Sequence, residues 1–270
     1  GFFISLNAGK SWMRSKYQNL PWYSLVRDIK IHPATSDLVI ATHGRGVYIV
    51  DNIQPLREMV KSDLSKSFLF YPIQPFKYEY GAQFPQAASN LTGYTGASKS
   101  LAPTFYYYLK ERSNDVVKIE IYNSDNKKIK DINGTGVKGL NKVMWTLTSN
   151  PPKVAKGGFV AQSSVQYAGV FGPKVPAGNY RVKIKAGKDS TEQVLQVLPN
   201  PSAGLTAAAL QKLYQQNMRM FTLIEQLAEM VTNIDSSLNR YAKDTTSSEL
   251  SKSQKAKEKF AALDSFKKEL

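Results

Sequence analysis

Apolar and polar positions alternate in short segments along most of this chain, and the spacing becomes helical only towards the C-terminal end. Near the N-terminus, the pattern predicts strands at 26–33, 38–42 and 47–51, with turn residues at 34–37 and 43–46 between them. Pro33 ends the first strand because proline cannot donate to a ladder. A short helical connector is predicted next, at 55–66.

Residues 67–200 continue the pattern with several short segments, and we expect an all-β domain there. The clearest segments are 104–109, 116–122 and 128–132, the last two joined by the turn 124–127. In 180–185, arginine and lysine alternate with apolar residues, which is typical of a half-buried strand with a wet outer face. Trp145 is predicted to lie in the core. Short strands with regular turns favour a β-sandwich.

From residue 206 onward, apolar residues recur every three or four positions and mark one face of an amphipathic helix. The polar stretch 244–248 interrupts this face, and 250–270 predicts a weaker second helix. We therefore expect a helical hairpin over 204–270. The predicted fold class is mainly β with an α-helical C-terminus.

The first residues carry a local turn motif. Asn7 has a short polar side chain that can bond the nearby backbone, Gly9 can take a positive φ, and Ser11 can close the turn after Ser5 opens it. Trp12 is expected to pack under this hairpin as an apolar floor. The sequence therefore predicts a tight hairpin at 5–12.

This motif resembles the Asp-box, S-x-[D/N]-x-G-x-[S/T]-W, which occurs once per blade in sialidase-like and sortilin-like β-propellers; the family prefers Asp where this chain has Asn7. The run at 42–49 resembles the T-H-G-R-G-x-[WY]-[IV] sequence that closes bacterial BNR-repeat propellers. The resemblance implies a terminal blade at 1–54, with Ser5, Asn7, Gly9, Ser11 and Trp12 as its architectural residues. A single blade cannot bury both faces of its sheet. The chain is expected to start inside a blade and to take the remaining blades from the same parent chain or a companion polypeptide.

The middle of the chain resembles the immunoglobulin-like or fibronectin-type-III-like modules that follow bacterial propellers. The resemblance rests on 121–129, 139–145 and 176–184, where an I-x-D-x-x-G-K hairpin, a G-x-N-x-x-x-W strand and a P-G-x-Y strand recur in that order, although Ala177 intrudes before Gly178. It implies an exported bacterial protein that is secreted, periplasmic or associated with the outer membrane.

Composition narrows the possible chemistry. The 270 residues include 42% hydrophobic residues, enough for a sizeable core, and no run long and apolar enough for a membrane span. With no cysteine, the chain has no disulfide and no thiolate nucleophile or ligand. His32 and His43 are its only histidines, so we expect no metal site, no cofactor and no catalytic triad.

The formal net charge of +15 raises the question of polyanion binding. Residues 66–204 hold 18 Lys and Arg against 8 Asp and Glu, so most of the excess lies there, but it forms no run. No nucleic-acid motif accompanies it, and we expect no nucleic-acid partner. Binding of acidic glycans through the summed positive field of the chain stays an open alternative.

Candidate binding residues lie in turns and long loops. His43 and Arg45 flank a glycine in the turn at 43–46, and the loops at 81–99 and 151–173 carry aromatic residues that could stack on sugar or peptide. The loop candidates are Phe84, Tyr94, Phe159 and Tyr167.

Three functions stay open, and none of them gives this chain catalytic residues. Glycoside hydrolysis needs paired carboxylates, or a tyrosine with a carboxylate partner and arginines, and one blade cannot supply them. The preferred hypothesis is a non-catalytic segment that supports the propeller or docks protein partners at the cell surface. The alternative is an accessory, glycan-binding part of a sialidase-like glycoside hydrolase. A propeller that accompanies a peptidase also remains open.

Overall fold

The computed structural model describes residues 2–14, 23–77, 102–154, 171–199 and 206–245, together with residues 258, 261, 262 and 265. The described chain is mainly β with an α-helical C-terminus, as the pattern predicts. The chain divides into two compact units. Unit 1 comprises Gly1–Trp145 and Asn179–Gln196, and unit 2 comprises Thr146–Gly178 and Val197–Leu270.

Unit 1 opens with two small antiparallel sheets. Strands β1 (Phe3–Ile4) and β2 (Met13–Arg14) form a pair, and β3 (Val26–Ile31), β4 (Leu38–Thr42) and β5 (Val47–Val50) form a sheet in the order β3-β4-β5. The predicted strand at 38–42 is confirmed, and the first and third end earlier than expected. Phe2, Leu38 and Ile40 form a buried cluster on one face of the three-stranded sheet.

Helix α1 (Gln54–Lys61) follows β5; it begins within one residue of the connector predicted at 55–66 and ends earlier. Pro55 lies in its first turn, where a missing N–H costs nothing. The Asn52 side chain accepts a hydrogen bond from the Gln54 N–H at 3.1 Å, and Pro55 and Met59 are buried. The helix therefore anchors the chain as it leaves β5.

The remaining strands form two sheets. One has the order β11-β8-β6, with β6 (Phe68–Phe70), β8 (Thr104–Leu109) and β11 (Gly139–Met144). The other has the order β10-β9-β12-β13-β7, with β7 (Phe76–Lys77), β9 (Val117–Tyr122), β10 (Lys128–Gly134), β12 (Gly178–Ala186) and β13 (Asp189–Leu198). Strand β12 includes the predicted strand at 180–185 and extends beyond it at both ends.

The alternation of buried and half-exposed residues along the strands shows where the core of unit 1 lies. Phe105, Tyr107 and Leu109 of β8 are buried while their neighbours are half-exposed, and β12 repeats this with Val182 and Ile184. Trp145 is fully buried, as predicted, and meets the Tyr180 ring edge-on at 5.2 Å between centroids. Because the arginine and lysines of β12 lie on its other face, they form a half-exposed stripe.

Unit 2 contains the C-terminal helix α2 (Ala207–Thr245), which confirms the predicted first helix and begins with a Thr206 cap on the Ala209 N–H at 3.1 Å. Leu210, Ala228 and Val231 are its buried residues. The predicted break at 244–248 begins too early, because residues 244 and 245 still belong to α2, and 246–248 lie outside the described residues. Residues 258, 261, 262 and 265 are helical. In the described residues, no helix is long and apolar enough to span a membrane.

Candidate functional site

The turn at 5–11 is held by its own side chains. Asn7 Oδ1 accepts from the Ser11 N–H at 2.9 Å, Ser5 Oγ accepts from the Gly9 N–H at 2.8 Å, and Asn7 Nδ2 donates to Ser11 Oγ at 2.7 Å. Gly9 has φ of +84°, in the region that favours glycine. An aspartate at position 7 would satisfy the same geometry, because the Ser11 hydroxyl would then donate to its carboxylate.

Trp12 does not form the expected apolar floor. It is 64% exposed, and its Cζ2 atom lies 3.9 Å from the place where a Cβ on Gly9 would stand. The prediction of a packed Trp12 is therefore wrong for the described chain. The reason is that β1 and β2 have two residues each and build too small a sheet to cover an indole.

His43 and Arg45 lie exposed in the turn between β4 and β5. The His43 N–H donates to Leu25 O at 2.9 Å, and the Arg45 guanidinium stacks over the Tyr23 ring at 5.1 Å. These contacts fix the turn. Among the described residues, no group of His, Asp or Glu is arranged to hold a metal ion.

The four aromatic loop candidates lie outside the described residues. They are Phe84, Tyr94, Phe159 and Tyr167.

The basic stripe of β12 consists of Arg181, Lys183 and Lys185. Arg181 pairs with Glu192 at 2.9 Å, and Lys185 pairs with Glu120. Glu120 of β9 accepts from Lys185 at 3.0 Å and from the Tyr122 hydroxyl at 3.1 Å, and Lys128 Nζ lies 3.7 Å away. The Lys185 hydrogen bond, more than any other contact, lowers the pKa of Glu120. Two of the three positive charges of β12 therefore belong to ion pairs on the sheet face.

The three-stranded sheet β3-β4-β5 has apolar residues on both faces, although on one of them β3 contributes Asp28 and Lys30 beside Ala41 and Val39. Leu38 and Ile40 are buried on one face. On the other, Val39 pairs with Ile49 and Ala41 pairs with Val47, and we call these four residues the apolar sheet face. Val47 is 64% exposed and Ile49 63%. Antiparallel strands with one solvated face normally alternate apolar and polar residues, whereas runs apolar throughout are typical of strands covered on both sides.

A cleft of about 900 Å³ opens within unit 1, and we call it the aromatic cleft. Its lining comes from edge strand β5, from the start of α1, from residues 71–76 and from the half-exposed face of β8 and β11. On that face, Tyr106 pairs with Lys142 and Thr104 with Met144. The cleft therefore joins segments that are far apart in the sequence.

Several polar groups on the cleft have no partner in the described part of the chain. The Tyr48 and Tyr106 hydroxyls and the Asp51 carboxylate make no hydrogen bond or ion pair there. Burial raises the pKa of Tyr106, and the nearby Asp51 carboxylate raises it further. These groups remain available to a ligand.

Two other polar side chains that line the cleft, Glu58 and Tyr71, differ in whether they have hydrogen-bond partners. Glu58 is satisfied, because it accepts from Gln54 Nε2 at 2.6 Å and lies 3.7 Å from Lys61 Nζ. Tyr71 is buried, and its hydroxyl makes no hydrogen bond in the described residues. Burial raises its pKa to about 12, while Ser62 lies close enough to lower it slightly without reaching hydrogen-bond geometry.

Sequence reasoning missed the aromatic cleft. Tyr48 and Tyr106 read only as strand residues, and Asp51 only as a strand end. A signal existed in 104–109, where a tyrosine occupies a half-exposed position on a strand whose other face is apolar. The strand pattern alone could not show which residues face this tyrosine across the cleft.

No family model matches the chain, and no curated protein and no solved structure does so either. The function must therefore be inferred from the chain's own surfaces.

Proposed function

We propose that this chain is a non-catalytic binding and assembly segment of an exported bacterial propeller protein. Its apolar sheet face docks further sheets of the same repeat, carried by the parent chain or by a companion polypeptide. The observation that supports this most directly is the exposure of Val47 and Ile49 on a sheet whose other face already buries Leu38 and Ile40. Neither residue suits a solvated surface.

The energetics favour covering this face. Fully burying a valine or isoleucine side chain stabilises a protein by about 1.5–3 kcal/mol. Because Val47 and Ile49 are each nearly two-thirds exposed, a docked sheet would gain about 1–2 kcal/mol from each. Trp12, exposed to the same extent, would add to this if the same neighbour covered it.

The proposal also assigns an architecture. Residues 1–54 are the terminal propeller blade, and residues 55–66 are the connector. The sheets of three and five strands over 67–200 form an immunoglobulin-like or fibronectin-type-III-like sandwich, and 204–270 forms a helical hairpin. The strand order and the self-closed turn at 5–11 are compatible with this assignment.

Carbene footprinting tests the proposal. The protein purified from its source is compared with the recombinant 270-residue chain. We expect Val47 and Trp12 to be labelled strongly in the recombinant chain and to be protected in the native protein. Val194, which is 60% exposed on β13, serves as the control and should label equally in both.

Cross-linking of the native protein then identifies what covers the face. We expect cross-links from Lys10 or Lys30 to a segment that carries further Asp-box hairpins. Equal labelling of Val47 and Trp12 in the two samples would show that nothing docks there and would refute the proposal. Protection by a polypeptide without such hairpins would refute the propeller assignment.

A further inference from the structure

We infer that the aromatic cleft is a binding site for a neutral oligosaccharide. This goes beyond the assembly proposed above and does not depend on it, because the cleft is built from described residues of unit 1 alone. Three features of its lining support the inference: its unpartnered polar groups, its aromatic rings and its balance of charge.

The unpartnered polar groups match the chemistry of sugar hydroxyls. A tyrosine hydroxyl both donates and accepts, and a carboxylate accepts, while each sugar hydroxyl can do both. Tyr48, Tyr106 and Asp51 present such groups without protein partners in the described chain. Since burial and the Asp51 carboxylate both keep the Tyr106 hydroxyl protonated, it stays a donor.

Aromatic and proline residues supply the apolar part of the lining. Tyr48, Tyr106 and Phe76 are half-buried, so each keeps part of its ring accessible, and Pro55 and Pro103 are buried beside the cleft. A pyranose ring has an apolar C–H face as well as a polar edge. Aromatic rings with a polar tip suit such a ligand, because they cover the C–H face and bond the edge.

Charge argues against a strongly ionic ligand. The carboxylate of Glu58 is occupied by Gln54 and Lys61, so Asp51 is the free acidic group lining the cleft in the described residues. Lys142, on the opposite lining, offsets it. The cleft is thus nearly neutral although the whole chain carries +15. Its volume of about 900 Å³ lies within the range of small-ligand sites and admits a few sugar rings.

Isothermal titration of the recombinant chain with cellohexaose, xylohexaose, mannohexaose and chitohexaose tests the inference. We expect saturable binding of at least one of them, with a Kd of about 0.1–1 mM. Tyr48→Phe, Tyr106→Phe and Asp51→Asn should each raise this Kd about five- to tenfold, because each removes one hydrogen bond to the ligand. These substitutions preserve shape, so the fold should persist.

Tyr108→Phe is the matched control. Tyr108 lies on the same strand and the same face as Tyr106, but it does not line the cleft, and its hydroxyl donates to Leu64 O at 3.5 Å. This variant should keep the wild-type Kd.

Three results would overturn the inference. The first is the absence of binding to all four oligosaccharides. The second is binding that Tyr106→Phe, Tyr48→Phe and Asp51→Asn leave unchanged, which would place the sugar elsewhere. The third is tighter binding of a short synthetic arginine- and proline-rich peptide that these variants weaken, which would make the cleft a peptide site.

Discussion

Replacing Tyr71 by phenylalanine should stabilise the protein. Tyr71 is only 4% exposed, its hydroxyl makes no hydrogen bond in the described residues, and burial raises its pKa to about 12. The hydroxyl therefore loses its water on folding and gains nothing equivalent. Tyr71→Phe removes this polar atom and keeps the ring.

The size of the effect follows from two opposing contributions. A buried polar group without a partner costs about 1–3 kcal/mol. Removing the oxygen leaves a small void, which forfeits a few tenths of a kcal/mol of dispersion contacts. We expect the free energy of unfolding to rise by about 1 kcal/mol at about pH 7.

The gain should grow with pH. The hydroxyl pKa is 10.0 without burial and about 12 in the folded chain, so the folded state keeps its proton where the unfolded state loses it. The titration of this group therefore leaves the stability of wild type unchanged below pH 10 and lowers it as the pH rises from 10 towards 12, because only the unfolded state releases the proton there. At about pH 11, wild type should lose about 1 kcal/mol that Tyr71→Phe does not lose, after allowance for partial hydration.

Urea unfolding, followed by the fluorescence of the buried Trp145, measures both effects. The comparison is made at about pH 7 and about pH 11. Tyr108→Phe serves as control at about pH 7 only, because the Tyr108 hydroxyl contributes to the raised pKa of Tyr71. The control hydroxyl has a backbone acceptor, so its loss should be neutral or slightly destabilising. If Tyr71→Phe lowers stability by about 1 kcal/mol or more, its hydroxyl has a partner and the reasoning fails.

Three further substitutions test other parts of the fold. Asn7→Ala removes the hydrogen bonds that close its turn and should speed amide exchange there about fivefold, corresponding to about 1 kcal/mol, whereas Asn7→Asp should not. Gly134→Ala places a Cβ 2.5 Å from the buried Tyr107 hydroxyl, and we expect it to lower the free energy of unfolding, measured in urea, by about 1–3 kcal/mol. The double variant with Tyr107→Phe should recover part of this loss of stability. Glu120→Gln should cost about 1 kcal/mol near neutral pH and flatten the loss of stability below pH 4.5, because the Lys185 hydrogen bond holds the folded pKa of that carboxylate below 4.5.

The sequence predicts an element best when its flanking turn residues and its alternation of apolar and polar positions indicate the same bounds. Strand β4 has the predicted bounds because Pro33 and the glycine-bearing turn after Thr42 delimit its apolar run. Strand β8 has the predicted bounds because its buried and half-exposed positions alternate. No bounds are predicted for strand β13, because its first four residues are all exposed and polar and show no alternation of apolar and polar positions.

Burial and ligand sites were less accessible to sequence reasoning. The turn motif fixes local hydrogen bonds, so Asn7 and Ser11 could be placed, but whether Trp12 is covered depends on a neighbouring sheet. The aromatic cleft is formed by segments near residues 50, 72, 104 and 143. Each segment shows an ordinary strand, turn or helix pattern, and only the packing of α1 and the sheets brings their polar groups together.

Ile49 connects the two proposals. It belongs to the apolar sheet face and also lines the aromatic cleft, whereas Val47 lies only on the sheet face and Tyr106 only on the cleft. A sheet docked on that face would therefore cover Ile49 and could supply a further wall beside the bound sugar. Footprinting separates the two events, because assembly protects Val47 and Ile49, while an oligosaccharide protects Ile49 and Tyr106. Protection of Ile49 by sugar without any change at Tyr106 would contradict the placement of the ligand in the cleft.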